Sequence, residues 1–139
     1  MNERLASLET ALRKHGYSIT SARQQVFLTM LDQAPLTMGQ LAKATATELN
    51  RSSLYRVVEL YEKLGIINRL QLGWKYKLEL SDAFAAHHHH MTCTRCGRID
   101  PFEESTTIRF ELKQLAQEKG FTETGHQLEL RGICSNCRT

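Results

Sequence analysis

Proline and tryptophan are scarce in this chain of 139 residues, which contains two prolines and one tryptophan. The chain also lacks an apolar run long enough to span a bilayer, and its first residues lack the apolar stretch of a secretion signal. These absences predict a soluble, cytoplasmic protein. A chain of this length forms one domain or two small ones, and neither half could bury a large core, so cross-links or a partner chain are expected.

Metal-binding residues are almost absent from the first part of the chain. Residues 1–86 hold no cysteine and one histidine, His15, whereas residues 87–139 hold all four cysteines and five histidines. Residues 1–86 also contain 11 Lys and Arg against 8 Asp and Glu, while the remainder contains 7 of each. This small positive excess suits a polyanion, although a solvated basic surface is the simpler interpretation. We place the boundary in the weakly patterned stretch 81–86, which gives domains at 1–82 and 83–139.

Local signals predict several short helices in the first domain. The second helix begins near Thr20, and Thr37 with Gln40 forms a capping box that opens the third. Asn50 is a good N-cap for the fourth helix, and Gly65 can adopt the conformation that ends it. This fourth helix has an apolar face with spacings of three and four residues, formed by Leu54, Val57, Val58, Tyr61 and Leu64.

Two β-prone segments follow, at residues 66–72 and 75–80, with Gly73 and Trp74 at the turn between them. Helices followed by a hairpin are typical of a winged helix-turn-helix domain, whose last helix enters the major groove of DNA. The polar face of that helix offers hydroxyls and a guanidinium to bases and phosphates, from Ser52, Tyr55 and Arg56. The alternative is that these residues only solvate a surface helix.

Two CxxC pairs, Cys93 with Cys96 and Cys134 with Cys137, enclose 37 residues. Four thiolates suit the tetrahedral coordination of Zn²⁺, and a pair of disulfides is disfavoured in a reducing cytoplasm. The enclosed segment predicts a strand at 98–102 closed by Pro101, a helix that stops at Gly120, and strands at 121–126 and 127–131. This small α+β unit has few apolar residues. Two copies that share a sheet would bury more surface and give the symmetry of a palindromic DNA site.

The run His87-His88-His89-His90 precedes the first CxxC pair. In an extended segment, alternate side chains point to opposite sides, so His87 and His89 face one way while His88 and His90 face the other. That geometry builds two separate sites for a divalent transition metal. The alternative is a solvated histidine run that binds metals without specificity.

Taken together, these pieces resemble the ferric uptake regulator family over nearly the whole chain. The matching residues are Arg23, Ser53-Leu54-Tyr55-Arg56, Leu64-Gly65-Ile66-Ile67, His87-His88-His89-His90, Cys93-Thr94-Arg95-Cys96-Gly97, Gly120-Phe121, His126 and Gly132-Ile133-Cys134-Ser135-Asn136-Cys137. The resemblance implies an α+β protein: a winged helix-turn-helix domain followed by a small α+β dimerisation domain with a four-cysteine zinc site. It also implies a homodimeric, metal-dependent repressor of metal homeostasis genes that binds double-stranded, palindromic operators.

The resemblance assigns roles to the metal ligands. Cys93, Cys96, Cys134 and Cys137 fall on the structural zinc site. The sensory site, which takes Zn²⁺, Fe²⁺ or Mn²⁺ as co-repressor, would use Glu79, His88, His90 and Glu104. A second site in the dimerisation domain would use His87, His89 and His126. Contacts to DNA are expected from Arg23, Arg51, Ser52, Ser53, Tyr55 and Arg56.

The chain departs from the family pattern at three places. Pro35-Leu36 stand where the family often supplies a sensory histidine, and Pro101 stands where an acidic residue is usual. Arg109 replaces a glutamate ligand of the second site, and a guanidinium cannot ligate a cation. The alternatives to a metal-dependent repressor are a peroxide-sensing regulator of the same family, a thiol redox switch and a zinc hydrolase. The hydrolase would need an open three-ligand zinc site with a general base.

Overall fold

The computed structural model describes residues 2–72, 74–85 and 87–138, without the side chains of Asn2 and Leu72. The chain divides into two compact units, Met1–Ala86 and His87–Thr139. The first unit contains four helices and a hairpin: α1 (Asn2–Lys14), α2 (Ser21–Met30), α3 (Met38–Ala44), α4 (Arg51–Lys63), β1 (Ile67–Leu72) and β2 (Lys75–Leu80). The second unit contains three strands and one helix: β3 (His89–Cys93), β4 (Ile99–Phe102), α5 (Thr106–Glu118) and β5 (Glu129–Gly132).

The predicted helix caps are confirmed. The Thr20 hydroxyl accepts from the backbone N–H of the third residue of α2. Thr37 and Gln40 form a reciprocal capping box, with N···O distances of 3.1 and 2.9 Å. The Asn50 side chain accepts from the backbone N–H of Ser53 at 2.8 Å. These bonds satisfy backbone donors that the first turn of a helix leaves without a partner, so local sequence fixes where each helix begins.

The core of the first unit lies where α4 crosses the other helices. The predicted apolar face of α4 is buried through Leu54, Val57, Val58 and Tyr61. These side chains pack with a cluster from the other elements that includes Leu8, Leu12, Val26, Phe27, Met30, Leu41, Ile66, Ile67, Leu78 and Leu80. Each large apolar side chain that is fully buried contributes about 1.5–3 kcal/mol. Packing of one face leaves the opposite face of α4 in solvent.

Both strands of the hairpin contact the rest of the first unit. Strands β1 and β2 pair in antiparallel register from Ile67↔Leu80 to Leu72↔Lys75. Arg69 of β1 forms an ion pair with Glu62 of α4 at 2.8 Å. Leu36 bridges to Leu78 of β2. Four helices followed by a hairpin is the order of a winged helix-turn-helix domain, as predicted. Gly73, one of the two residues predicted at the turn of the hairpin, lies outside the described residues.

Residues 83–85 go with the first unit, although the boundary was predicted after Asp82. Phe84 packs edge-on against Phe27 of the core, with ring centroids 5.4 Å apart. Its backbone N–H bonds to the carbonyl of Ser81 at 2.9 Å. The packing of Phe84 on the core therefore helps to hold this stretch to the helices. Ala86, the last residue of the predicted stretch, lies outside the described residues.

The second unit is a three-stranded sheet with β3 in the centre. Strand β4 pairs antiparallel on one side of it and β5 pairs parallel on the other, in the order β4-β3-β5. Pro101 was predicted to close β4, but it lies within the strand, opposite His90. Proline is tolerated there because β4 is an edge strand.

The strand predicted at 121–126 is wrong. The chain between α5 and β5 has no regular secondary structure until Glu129. Its polar side chains turn inward instead, since Glu123 and His126 bond to each other through a carboxylate oxygen and a ring nitrogen.

Among the described residues, no helix combines the length and the apolar character that crossing a bilayer requires.

One buried hydrogen bond offers a test of the core. The Tyr61 hydroxyl, on a side chain with no exposed surface, donates to the Arg23 carbonyl at 2.7 Å, and burial raises the pKa of Tyr61. We expect Tyr61→Phe to lower the free energy of unfolding by about 1–2 kcal/mol, because the carbonyl loses its partner. The half-exposed Tyr55 is the control, and Tyr55→Phe should change stability by less than about 0.5 kcal/mol.

The measurement is urea unfolding followed by far-ultraviolet circular dichroism. Fluorescence is less suitable because Trp74, the only tryptophan, is 85% exposed in the folded unit. Equal losses in the two variants would show that the Tyr61 hydrogen bond does not stabilise the core.

Candidate metal sites and nucleic-acid interface

Four cysteines meet at one end of the sheet in the second unit. Cys93 ends β3, and Cys134 follows β5, which is paired in parallel with β3 up to Cys93↔Gly132. The backbone N–H groups of Cys96 and Cys134 both point at the Cys93 sulfur, at 3.5 and 3.3 Å. Parallel pairing of β3 and β5 therefore brings together two CxxC turns that lie 37 residues apart in sequence.

The sulfur geometry fits a tetrahedral zinc ion. None of the four cysteines forms a disulfide bond, and their four sulfur atoms lie within 4.8 Å of one another. The Cys96 and Cys134 sulfurs are 3.7 Å apart. Zinc–sulfur bonds of about 2.3 Å give a tetrahedral edge of about 3.8 Å, so this separation suits a shared ion and is far longer than a disulfide bond.

The charges of the cluster also favour a cation. Hydrogen bonds from the Cys96 and Cys134 amides lower the pKa of Cys93 to about 6. A side-chain hydrogen bond to Cys134 and burial raise the pKa of Cys137 to about 12. Without a cation one thiol favours its ionised form while another keeps its proton. A divalent ion would neutralise the charge and allow all four thiolates to form.

The histidine run forms two sets, as the extended segment predicted. The rings of His87 and His89 have centroids 4.7 Å apart, and the rings of His88 and His90 are separated by the same distance. His89 and His90 are buried in β3. The alternation of side chains along the strand therefore creates two places for a cation.

The structure corrects the expected position of Glu104, which was predicted in the sensory site with His88 and His90. His89 pairs with Phe102 across the ladder, so these two side chains share a face of the sheet. Glu104 comes two residues after Phe102 and returns to that same face. Its carboxylate consequently joins the odd-numbered histidines and His126, which together offer ligand atoms within 4.8 Å of one another.

Glu104 lies at the centre of this second cluster. One oxygen, Oε2, is 2.6 Å from Nε2 of both His89 and His126. The other oxygen, Oε1, accepts from Nε of Arg109 at 2.9 Å and is 3.8 Å from Nε2 of His87. The Glu104 side chain is only 1% exposed. Its hydrogen bond with His89 has the largest effect on its pKa, and together with the bonds from Arg109 and His126 it lowers that pKa to about 2.

Glu123 is a member of this cluster that the sequence analysis missed. Its carboxylate accepts from Nδ1 of His126, whose pKa is raised by bonds to Glu123 and Glu104. The sequence signal was the spacing of three residues between Glu123 and His126 in a segment interpreted as a strand. A turn there, rather than a strand, would have placed the two side chains together.

Glu79 belongs to the first unit, where it is half-buried in β2, whereas His88 and His90 belong to the second. Its place in the sensory site stays a prediction from the resemblance. Pro101, which replaces an expected acidic residue, pairs with His90 in β4 and so shares its face of the sheet. At this position β4 therefore offers no side-chain ligand atom to His88 and His90.

The face of α4 that the core leaves in solvent carries most of the residues predicted to contact DNA. Arg51, Ser52, Tyr55 and Arg56 are exposed, whereas Ser53 is half-buried at the helix cap. Arg23 lies in α2, and its guanidinium donates to the Ser18 carbonyl and lies over the Tyr17 ring. The structure thus brings four of the six residues together on one exposed turn and a half of helix.

The four-thiol cluster predicts a permanently bound metal. Cys96→Ser should reduce zinc in dialysed protein from about one ion per subunit to a small fraction, because structural zinc sites need all their ligands. Ser135→Ala, an exposed change within the other CxxC turn, is the control and should keep the zinc. Elemental analysis with size-exclusion chromatography measures the outcome, and wild-type protein that is folded but free of zinc would contradict the prediction.

Comparisons with known proteins identify relatives of this chain in sequence and in fold. Residues 14–131 match the model of the ferric uptake regulator family. The ferric uptake regulation protein of Campylobacter jejuni subsp. jejuni serotype O:2 is 30% identical over 142 residues, covering 96% of this chain and 87% of that protein. The Helicobacter pylori ferric uptake regulator has the same fold, with a TM-score of 0.80 at 20% identity over 99% of this chain and 93% of that one. The Vibrio cholerae ferric uptake regulator superposes with a TM-score of 0.70 at 28% identity, over 91% and 98% of the two chains. The chain belongs to the ferric uptake regulator family of metal-responsive transcriptional regulators.

Proposed function

We propose that this protein is a cytoplasmic repressor of metal homeostasis genes that binds palindromic operator DNA as a homodimer when a divalent metal is bound. The observation that carries the proposal is the exposed N-terminal part of α4, supported by a helical core on its other face. This role requires binding and a change of state but no catalytic activity.

DNA recognition by α4 is supported by the chemistry of its exposed residues. Arg51 and Arg56 supply cations for phosphates or guanine edges, and Ser52 and Tyr55 supply hydroxyls. These residues occupy the first turns of the helix, the part that meets base edges when a helix-turn-helix docks in the major groove. The hairpin would lie beside the helix as the wing.

A homodimer is supported by the incomplete core of the second unit. Helix α5 has no buried residue, and every residue of β5 is exposed. Large apolar side chains of this unit are exposed by 38–70%: Met91, Ile108, Phe110, Leu115, Phe121, Leu130 and Ile133. An apolar surface of this kind on a small unit is typical of a subunit interface. A second copy would bury it and produce the two-fold symmetry that a palindromic operator matches.

The sensory site is proposed at His88 and His90, with Glu79 as the ligand from the DNA-binding unit. Imidazole and carboxylate donors bind Zn²⁺, Fe²⁺ and Mn²⁺. A ligand from each unit would make metal binding favour one arrangement of the two winged helices over others, and operator DNA would select that arrangement.

His88→Ala tests this site. The wild type should bind operator about 5–150-fold more tightly when metal is added, and the variant should show no such gain while keeping its zinc at the cysteines. His15→Ala, an exposed histidine at the end of α1, is the control for nonspecific metal binding and should respond like the wild type. The measurement is fluorescence anisotropy of duplexes that the metal-loaded protein selects from a random library, with each ion titrated separately. A full metal response in His88→Ala would reject the proposed sensory ligand.

Arg56→Ala tests the DNA interface. Loss of one guanidinium from the exposed face should weaken operator binding by about 1–3 kcal/mol if it reads a base, and equally for all sequences if it contacts a phosphate. Lys63→Ala, an exposed cation in the last turn of α4, is the matched control. Both variants should unfold at the wild-type urea concentration, because neither side chain packs in the core. Unchanged affinity of Arg56→Ala at fixed salt would remove this residue from the interface.

A further inference from the structure

We propose that the guanidinium of Arg109 takes the place of a metal ion at the cluster of His87, His89, Glu104 and His126, so that this cluster stabilises the second unit without an ion. Three imidazoles and a carboxylate within 4.8 Å are a donor set that a divalent ion would accept. Hydrogen bonds within the cluster, however, already engage Glu104, His89 and His126, while Nε2 of His87 lies 3.8 Å from Oε1 of Glu104.

The carboxylate of Glu104 has little capacity left for an ion. Its Oε2 lies at 2.6 Å from both His89 and His126, and its Oε1 accepts from Arg109 at 2.9 Å. With the side chain 1% exposed, water does not compete for these bonds. A metal ion bound through Glu104 would have to break at least one of them.

The orientation of His89 opposes metal binding through Nε2. Its Nδ1 lies 3.2 Å from the backbone nitrogen of Leu128 and accepts the proton of that amide. Nδ1 therefore carries no proton, and Nε2 of the neutral ring is the N–H that donates to Glu104. Coordination through Nε2 would move the proton to Nδ1, where it would face the Leu128 N–H. Metal-binding histidines normally direct their second nitrogen at an acceptor instead.

The positive charge of Arg109 also opposes an ion at this cluster. Arg109 brings a permanent positive charge to Glu104, on the first turns of α5, while its own side chain stays 61% exposed to solvent. A divalent ion entering the cluster would meet that guanidinium at close range and be repelled. The arginine thus supplies the cation that the carboxylate needs, and its guanidinium cannot be removed by a chelator.

The cluster connects parts of the second unit that are distant in sequence. His89 lies in β3, Arg109 in α5, and Glu123 with His126 in the segment that leads to β5. Glu104 joins all three through its two oxygens. This unit has few buried apolar side chains, so the polar network is a substantial part of what ties α5, through Arg109, to Glu104 and to the segment that contains His126.

The experiment counts metal ions in the full-length protein. Each variant is saturated with Co²⁺ after its zinc is counted, passed through a desalting column, and measured by elemental analysis and visible absorption. His126→Asn should leave the metal content of the otherwise wild-type chain unchanged. Arg109→Glu should add about one ion per subunit, because it removes the cation and supplies a further carboxylate. The added cobalt should absorb without a thiolate charge-transfer band, and Arg109→Glu combined with His126→Asn should lose it.

Lys113→Glu is the matched control, because it makes the same charge change one turn further along α5 and should add no ion. Loss of one ion per subunit from His126→Asn would overturn the proposal, and so would an Arg109→Glu protein that folds and gains none. If Arg109→Glu does not fold, the comparison of wild type with His126→Asn still decides. The inference rests on the proposed function only in treating the protein as a metal-responsive regulator. The metal is counted in samples without DNA, so a failure of DNA binding would not alter these counts.

Discussion

The pairing of β3 with a neighbour on each side is the constraint on which the second unit depends. Its parallel partner β5 brings Cys134 to Cys93, and its antiparallel partner β4 sets the face on which Glu104 returns. A shift of one residue in the β4 register would move Glu104 to the side of His88 and His90. Strand register therefore decides which side chains meet in each cluster, as much as the residue types themselves do.

Local signals predicted the first unit well because its elements are defined by residues close in sequence. The caps at Thr37 and Asn50 and the apolar spacing of α4 each act within a few residues. The contacts of the second unit were harder to predict. Glu104 meets His126 across 22 residues of sequence through the sheet, and Glu123 meets His126 across 3 residues in an irregular segment. Alternation along the histidine run could be predicted, whereas the partners of each histidine could not.

The two units divide the physical work of a regulator between them. The first unit has an apolar core among its helices and presents a polar helix face to solvent. The second carries four thiols suited to a tightly held ion, and a charge network that its own side chains complete. His88 and His90 then stand apart from both clusters. A regulator benefits from this separation, because the ion that reports metal supply can exchange while the fold persists.

Pro101 has a consequence for assembly. The bond from the Cys93 N–H to the Arg98 carbonyl makes that pair a hydrogen-bonded one. By the alternation of an antiparallel ladder, Pro101 opposite His90 is then in a non-hydrogen-bonded pair, and its nitrogen faces the outer edge of β4. That edge lacks a donor at its middle, so a further strand would pair poorly there. The opposite edge, β5, contains no proline. Sheet growth is thus open on one side only, which permits closed pairs of subunits and opposes open-ended filaments.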